Sequence, residues 1–93
     1  MANGYLTVHL LIKGKVQGVF YRDTAKTTAK QLGVTGWVRN TPDGHVEALV
    51  TGGEKELSGF IEWARRGPKE AVVIDIIRTV RDHETFSGFT IRE

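Results

Sequence analysis

Hydrophobic residues recur along the chain with two periods, which predict strands and helices in a definite order. Apolar residues alternate with polar ones in residues 6–12, 34–38 and 46–50, a pattern typical of strands with one buried face. Residues 71–80 are largely β-branched and apolar, with Val72, Ile74 and Ile76 in one phase, and predict a fourth strand. Between these strands, two segments repeat with the period of a helix. The repeated positions are Ala25, Thr28, Ala29 and Leu32 in the first segment, and Leu57, Phe60, Ile61 and Ala64 in the second.

Glycine and proline mark where these elements end. Gly33 ends the first predicted helix, and the Gly67-Pro68 pair ends the second. Residues 41–44 (Thr-Pro-Asp-Gly) predict a tight turn that makes residues 34–51 a β-hairpin. Residues 82–88 predict another turn, and residues 89–92 a short returning edge strand. The predicted order is therefore β-α-β-β-α-β with a short tail strand.

This order predicts an α+β fold, the ferredoxin-like split β-α-β sandwich, with both helices on one face of an antiparallel sheet. Residues 1–93 are expected to form a single domain. Right-handed crossovers place the first strand beside the third and leave the second strand at an edge. The loop after the first strand and the end of the second strand then share one rim of the sheet, which brings residues 13–22 close to Asn40.

The composition is that of a soluble globular chain, with 40% hydrophobic and 26% charged residues. Cysteine is absent, which excludes disulfides, thiolate nucleophiles and cysteine-based metal sites. The chain shows no export leader and no apolar stretch of membrane-spanning length, so a cytoplasmic protein without a membrane partner is expected. The net charge is +2, and residues 1–50 carry six basic and three acidic residues. This weak excess is compatible with a small anionic ligand but is too sparse for duplex nucleic acid.

The glycine-bearing loop at residues 14–22 leads from a strand directly into a helix N-terminus. The first N–H groups of a helix lack internal partners and the helix dipole makes this end positive, so such a loop can bind a phosphate. Arg22 adds a guanidinium that can bind two phosphate oxygens. The loop matches neither common nucleotide-binding glycine motif. Judged by spacing alone, an ordinary strand-to-helix turn with a solvated arginine is favoured over an anion site.

The same loop, read as Gly-Lys-Val-Gln-Gly-Val-Phe-Tyr-Arg over residues 14–22, resembles the signature of the acylphosphatase family. A second block, Gly-Trp-Val-Arg-Asn over residues 36–40, resembles that family's second motif. Tyr21 departs from the phenylalanine that is more usual before the arginine, and we expect this change to affect packing rather than chemistry. The length of 93 residues is similar to that of the free-standing enzymes of the family.

The resemblance implies an enzyme that hydrolyses acyl phosphates to a carboxylate and inorganic phosphate, without cofactor or metal and as a monomer. It implies that Arg22 and the backbone amides of the loop bind the phosphoryl group, and that Asn40 orients the attacking water. The loop residues concerned are Gln17, Gly18, Val19, Phe20, Tyr21 and Arg22. Because a carboxylate is a good leaving group, this reaction requires positioning and charge stabilisation more than a strong general acid.

Two other functions are compatible with the same topology. An RNA-binding module would need aromatic side chains on the central strands, whereas the third strand has none and carries Glu47. A regulatory domain could hold an anion in the same loop without hydrolysing it, and would differ only if Arg22 or Asn40 lay away from the site. The histidines His9, His45 and His83 do not have metal-ligand spacing, so structural or solvated roles are expected for them.

Overall fold

The computed structural model describes residues 5–93, which form a five-stranded sheet and two helices. The helices lie on one face of the sheet, as predicted, and their apolar residues join those of the strands in one core. The elements are β1 (Tyr5–Lys15), α1 (Tyr21–Leu32), β2 (Thr35–Asn40), β3 (Val46–Gly53), α2 (Glu54–Arg66), β4 (Val72–Arg81) and β5 (Phe89–Ile91).

The strands lie in the order β4-β1-β3-β2-β5, so β1 and β3 occupy the centre of the sheet. They pair antiparallel, with Leu10 opposite Ala48, as the crossover rule predicts. The prediction that the second strand is an edge is wrong, because β5 pairs with β2. This last pair is parallel, so the sheet is mixed rather than wholly antiparallel.

The connection at residues 82–88 is the physical reason for this difference. It crosses the end of the sheet from β4 to the far side of β2, instead of turning back beside β4. Two buried threonines, Thr7 on β1 and Thr51 on β3, hold it in place. The backbone N–H of Glu84 donates to Thr7 Oγ1 over 2.9 Å, and Thr51 Oγ1 donates to the Glu84 carbonyl over 2.7 Å. These bonds satisfy buried hydroxyl groups and lie at the rim opposite the β1–α1 loop.

The core forms between the helices and the inward-facing phase of each strand. On α1, Ala25 and Ala29 face the sheet, and their small side chains allow the helix to pack closely. On α2, the four residues with helical spacing identified in the sequence are all buried. Burying a side chain such as Phe60 contributes roughly 1.5–3 kcal/mol, so this face supplies much of the stability that α2 requires.

Candidate active site

The β1–α1 loop is anchored in the core by two valine side chains. Val16 and Val19 are buried, whereas Gly18 and Phe20 are exposed and have positive φ angles. Just before the loop, the pairing of β1 with β4 is interrupted by a bulge at Gly14. There φ is 133° and a β carbon would lie 2.1 Å from the Val72 carbonyl oxygen, so only glycine is accommodated.

Helix α1 begins without a side-chain cap. Phe20 occupies the N-cap position, and in the described part of the chain its side chain caps no N–H of the first turn. Backbone N–H donors at this end are therefore available to a ligand, and the positive end of the helix dipole favours an anion.

Gln17 connects this loop to the β2–β3 hairpin. Its Nε2 atom donates to the carbonyl oxygens of Thr41 and His45 over 2.9 and 2.8 Å. The hairpin turn is closed by the Thr41 N–H, which donates to the His45 carbonyl over 2.8 Å. The turn predicted at residues 41–44 is confirmed. Because Thr41 directly follows Asn40, the side chain of Gln17 holds the end of β2 against the loop, a role that sequence spacing did not indicate.

A cavity of about 280 Å³ lies where the loop, the start of α1 and the end of β2 meet. It is lined by Val16, Gly18, Phe20, Tyr21, Arg22, Asp23 and Asn40. The structure thus brings together five of the predicted site residues, while Gln17 and Val19 do not line the cavity. Sequence reasoning missed Val16 and Asp23, although Asp23 adjoins Arg22 in the first turn of α1 and could have been found by that position.

Two polar groups of residues that line the cavity have no partner within the range that the structure describes. Among the described residues, nothing forms an ion pair or hydrogen bond with the Arg22 guanidinium. The Oδ1 atom of Asn40 is buried without a hydrogen-bond partner in residues 5–93. Nδ1 of His45 is also buried without a hydrogen-bond partner among these residues, but His45 does not line the cavity. The cavity is therefore lined by an unpaired cation and by a residue with an unpaired acceptor atom, a combination that suits an anion together with a water molecule.

Tyr21 is held in the core by ring packing and by a hydrogen bond of its hydroxyl. Its ring is buried, and the centroids of the Tyr21 and Trp63 rings lie 5.1 Å apart. Its hydroxyl donates to the Ala64 carbonyl over 2.7 Å. Burial raises the pKa of the Tyr21 phenol far above its usual range, so this group remains protonated. The hydrogen bond, which phenylalanine could not form, ties the residue before Arg22 to the last turn of α2.

Arg39 is next to Asn40 in the sequence, but its side chain forms an ion pair away from the cavity. It pairs with Glu47, which also accepts a hydrogen bond from His9 Nε2 over 2.7 Å on the open face of the sheet. These two contacts, that of His9 foremost, lower the pKa of the Glu47 carboxyl. Arg22 is therefore the arginine available to an anion in the cavity.

Residues 5–93 hold no group of three or more histidine or carboxylate side chains placed to bind a metal ion. No helix in this part of the chain has the length and apolar character needed to cross a membrane.

The chain is similar over most of its length to known proteins of one family. Residues 8–91 match the family model described as acylphosphatase. An acylphosphatase of Albidiferax ferrireducens is 48% identical over 88 residues, covering 95% of each chain. The structure of an acylphosphatase from Coxiella burnetii is 33% identical, with a TM-score of 0.93 over 99% of this chain and 100% of that one. The acylphosphatase from Bacillus subtilis is 34% identical, with a TM-score of 0.91 over 95% and 99%.

Proposed function

The chain belongs to the acylphosphatase family and hydrolyses acyl phosphates, and on that premise we propose how its cavity performs the reaction. Arg22 and the backbone N–H groups at the start of α1 hold the phosphoryl group, and Asn40 orients the attacking water. One observation carries this proposal: Arg22 and Asn40 line the same cavity, and within residues 5–93 the guanidinium, the Asn40 Oδ1 atom and the N-terminus of α1 all lack a side-chain partner.

The phosphoryl end of the substrate carries two negative charges near neutral pH. Backbone N–H groups of the loop and of the first turn of α1 can each donate to one of its oxygens. The guanidinium of Arg22 can donate to two oxygens at once. These donors also face the charge that develops on the equatorial oxygens in the transition state, so the same groups serve binding and catalysis.

Water is positioned by Asn40. Its buried Oδ1 can accept a hydrogen bond from the water, which leaves an oxygen lone pair directed at phosphorus. The water oxygen forms a bond to phosphorus as the bond from phosphorus to the carboxylate oxygen breaks. An acyl phosphate dianion and water thereby give a carboxylate and dihydrogen phosphate, each with one negative charge. The proton of the water is taken up by the phosphoryl group, so no side chain acts as a general acid.

An uncharged amide suits this position better than a carboxylate. A carboxylate at residue 40 would repel the dianionic substrate, whereas the amide offers an acceptor to water without a negative charge. The carboxylate leaving group also needs no Lewis acid to depart, and we include metal independence in the proposal on this ground. A monomer located in the cytoplasm remains the prediction made from the sequence.

Steady-state hydrolysis of acetyl phosphate, with and without EDTA, tests the proposed function. We expect turnover that the chelator does not change and that inorganic phosphate inhibits competitively. Turnover abolished by EDTA and restored by a divalent cation would contradict metal independence. Binding of phosphate without any turnover would instead identify a regulatory anion-binding domain.

A further inference from the structure

Phe20 is an exposed aromatic residue at the site cavity. Its side chain is 76% exposed and lines the cavity that also contains Arg22 and Asn40. The other two apolar lining residues with large side chains, Val16 and Tyr21, are buried in the core. Within this cavity, Phe20 is therefore the residue that offers broad apolar surface to a ligand.

The backbone holds Phe20 in this outward position. Its φ of 65° lies in the left-handed region, which is unfavourable for a residue with a bulky side chain. Thr24 fixes the Phe20 carbonyl with two hydrogen bonds, from its N–H over 3.1 Å and from its hydroxyl over 2.8 Å. The residues on both sides, Val19 and Tyr21, are buried. The ring cannot turn into the core without breaking these contacts.

Neither the left-handed backbone of Phe20 nor the exposure of its ring favours folding. Glycine or asparagine would adopt the same φ with less strain, and a polar side chain would suit the exposed position better. A strained and exposed aromatic residue at a ligand cavity is instead explained by contact with a ligand.

We propose that Phe20 packs against the acyl group of the substrate and makes the enzyme favour aromatic or bulky apolar acyl phosphates over small ones. The inference rests on the proposed function, because it requires the phosphoryl group to be held by Arg22 and the loop. The acyl group then extends toward the mouth of the cavity, where the Phe20 ring stands. Apolar contact at this point raises kcat/KM for large acyl groups and adds little for an acetyl group.

The test compares kcat/KM for benzoyl phosphate and acetyl phosphate in the wild type and in variants. Phe20→Gly removes the ring while accommodating the left-handed backbone, and we expect the benzoyl-to-acetyl ratio to fall about 10-fold. Phe20→Tyr keeps the ring and should hold the ratio within about 2-fold of the wild type. Val80→Ala is the matched control, because Val80 is 66% exposed on β4 and does not line this cavity.

The ratio separates a contact with the acyl group from damage to the loop, because both substrates share the phosphoryl end. An unchanged ratio in Phe20→Gly would overturn the inference, even if inorganic phosphate inhibited less strongly, since Phe20 would then serve only the shape of the loop. A ratio that fell equally in Val80→Ala would overturn it as well. Failure of the wild type to hydrolyse either substrate would overturn the proposed function itself, which is a different result.

Discussion

Gln17 donates a hydrogen bond from its side-chain amide to the carbonyl oxygen of Thr41, 2.9 Å away, across the gap between the β1–α1 loop and the β2–β3 hairpin. The same nitrogen donates to His45 on the other side of the turn. Arg22 lies at the start of α1, and Asn40 lies at the end of β2. The side-chain amide of Gln17 holds the loop that leads to Arg22 against the strand end that carries Asn40.

Replacing Gln17 with methionine should therefore disturb Asn40 more than the phosphoryl site. We expect kcat for acetyl phosphate to fall about 10-fold, because two carbonyl groups lose their donor and the end of β2 shifts. Inhibition by inorganic phosphate should change by much less. Gln31→Met on the exposed face of α1 is the control. Equal losses in kcat and in phosphate affinity would show that Gln17 does not act through Asn40.

Substitution of Arg22 by alanine should remove phosphate binding. The lost guanidinium contacts are charge-assisted, so we expect kcat/KM and the affinity for inorganic phosphate to fall about 100-fold or more. Arg22→Lys retains the charge but not the two-pronged geometry and should recover part of the loss. Arg81→Ala, at the opposite end of the sheet, is the matched control. Phosphate inhibition that survived in Arg22→Ala would place the anion elsewhere.

Substitution of Asn40 by alanine should separate binding from turnover. We expect kcat to fall about 100-fold or more, while the inhibition constant of inorganic phosphate stays within about 3-fold of the wild type. Asn40→Asp should lose both, because its carboxylate repels the phosphate. Near-normal kcat in Asn40→Ala would show that this amide does not position the water.

Tyr21→Phe should lower the free energy of unfolding by about 1 kcal/mol, because the ring packing remains but the Ala64 carbonyl loses its donor. Tyr21→Leu should cost about 2–3 kcal/mol, since it also removes the aromatic contact with Trp63. Urea denaturation of the three proteins measures both differences. Equal stability of Tyr21→Phe and the wild type would show that the hydrogen bond contributes nothing net.

Stability should depend on pH through Glu47. Its pKa is lower in the folded protein than in the unfolded chain, so the hydrogen bond from His9 and the ion pair with Arg39 stabilise the fold above the ordinary glutamate pKa near 4.5. This contribution, about 1 kcal/mol or less for such a surface site, is lost as pH falls through the folded-state pKa. Glu47→Gln should therefore be less stable than the wild type at pH 7 and equally stable in strong acid. Glu62→Gln on the exposed side of α2 should show no such convergence.

Much of the site could be anticipated because its parts are short and local. The glycines and Arg22 lie within one nine-residue segment, and Asn40 ends a strand whose direction the hairpin defines. Placing the two segments at one rim required only the crossover rule. Their roles in binding and turnover remain to be tested by the variants described above.

The long-range hydrogen bonds around the site could not be predicted from any pattern in the sequence. Gln17 reaches residues 24 and 28 positions away, and Tyr21 reaches Ala64, 43 positions away. A hydrogen bond between distant residues leaves no periodicity in either segment. The left-handed conformation of Phe20 is equally hidden, because an isolated phenylalanine disfavours it.

The sequence by itself determined the order of the elements and the faces that they bury, because alternation and helical spacing record which side of each segment meets the core. Only the tertiary structure decided where the chain goes after β4. The short β5 pairs with β2 because Thr7 and Thr51 hold residue 84 across the end of the sheet, and that choice between two edges depends on contacts formed after the sheet assembles.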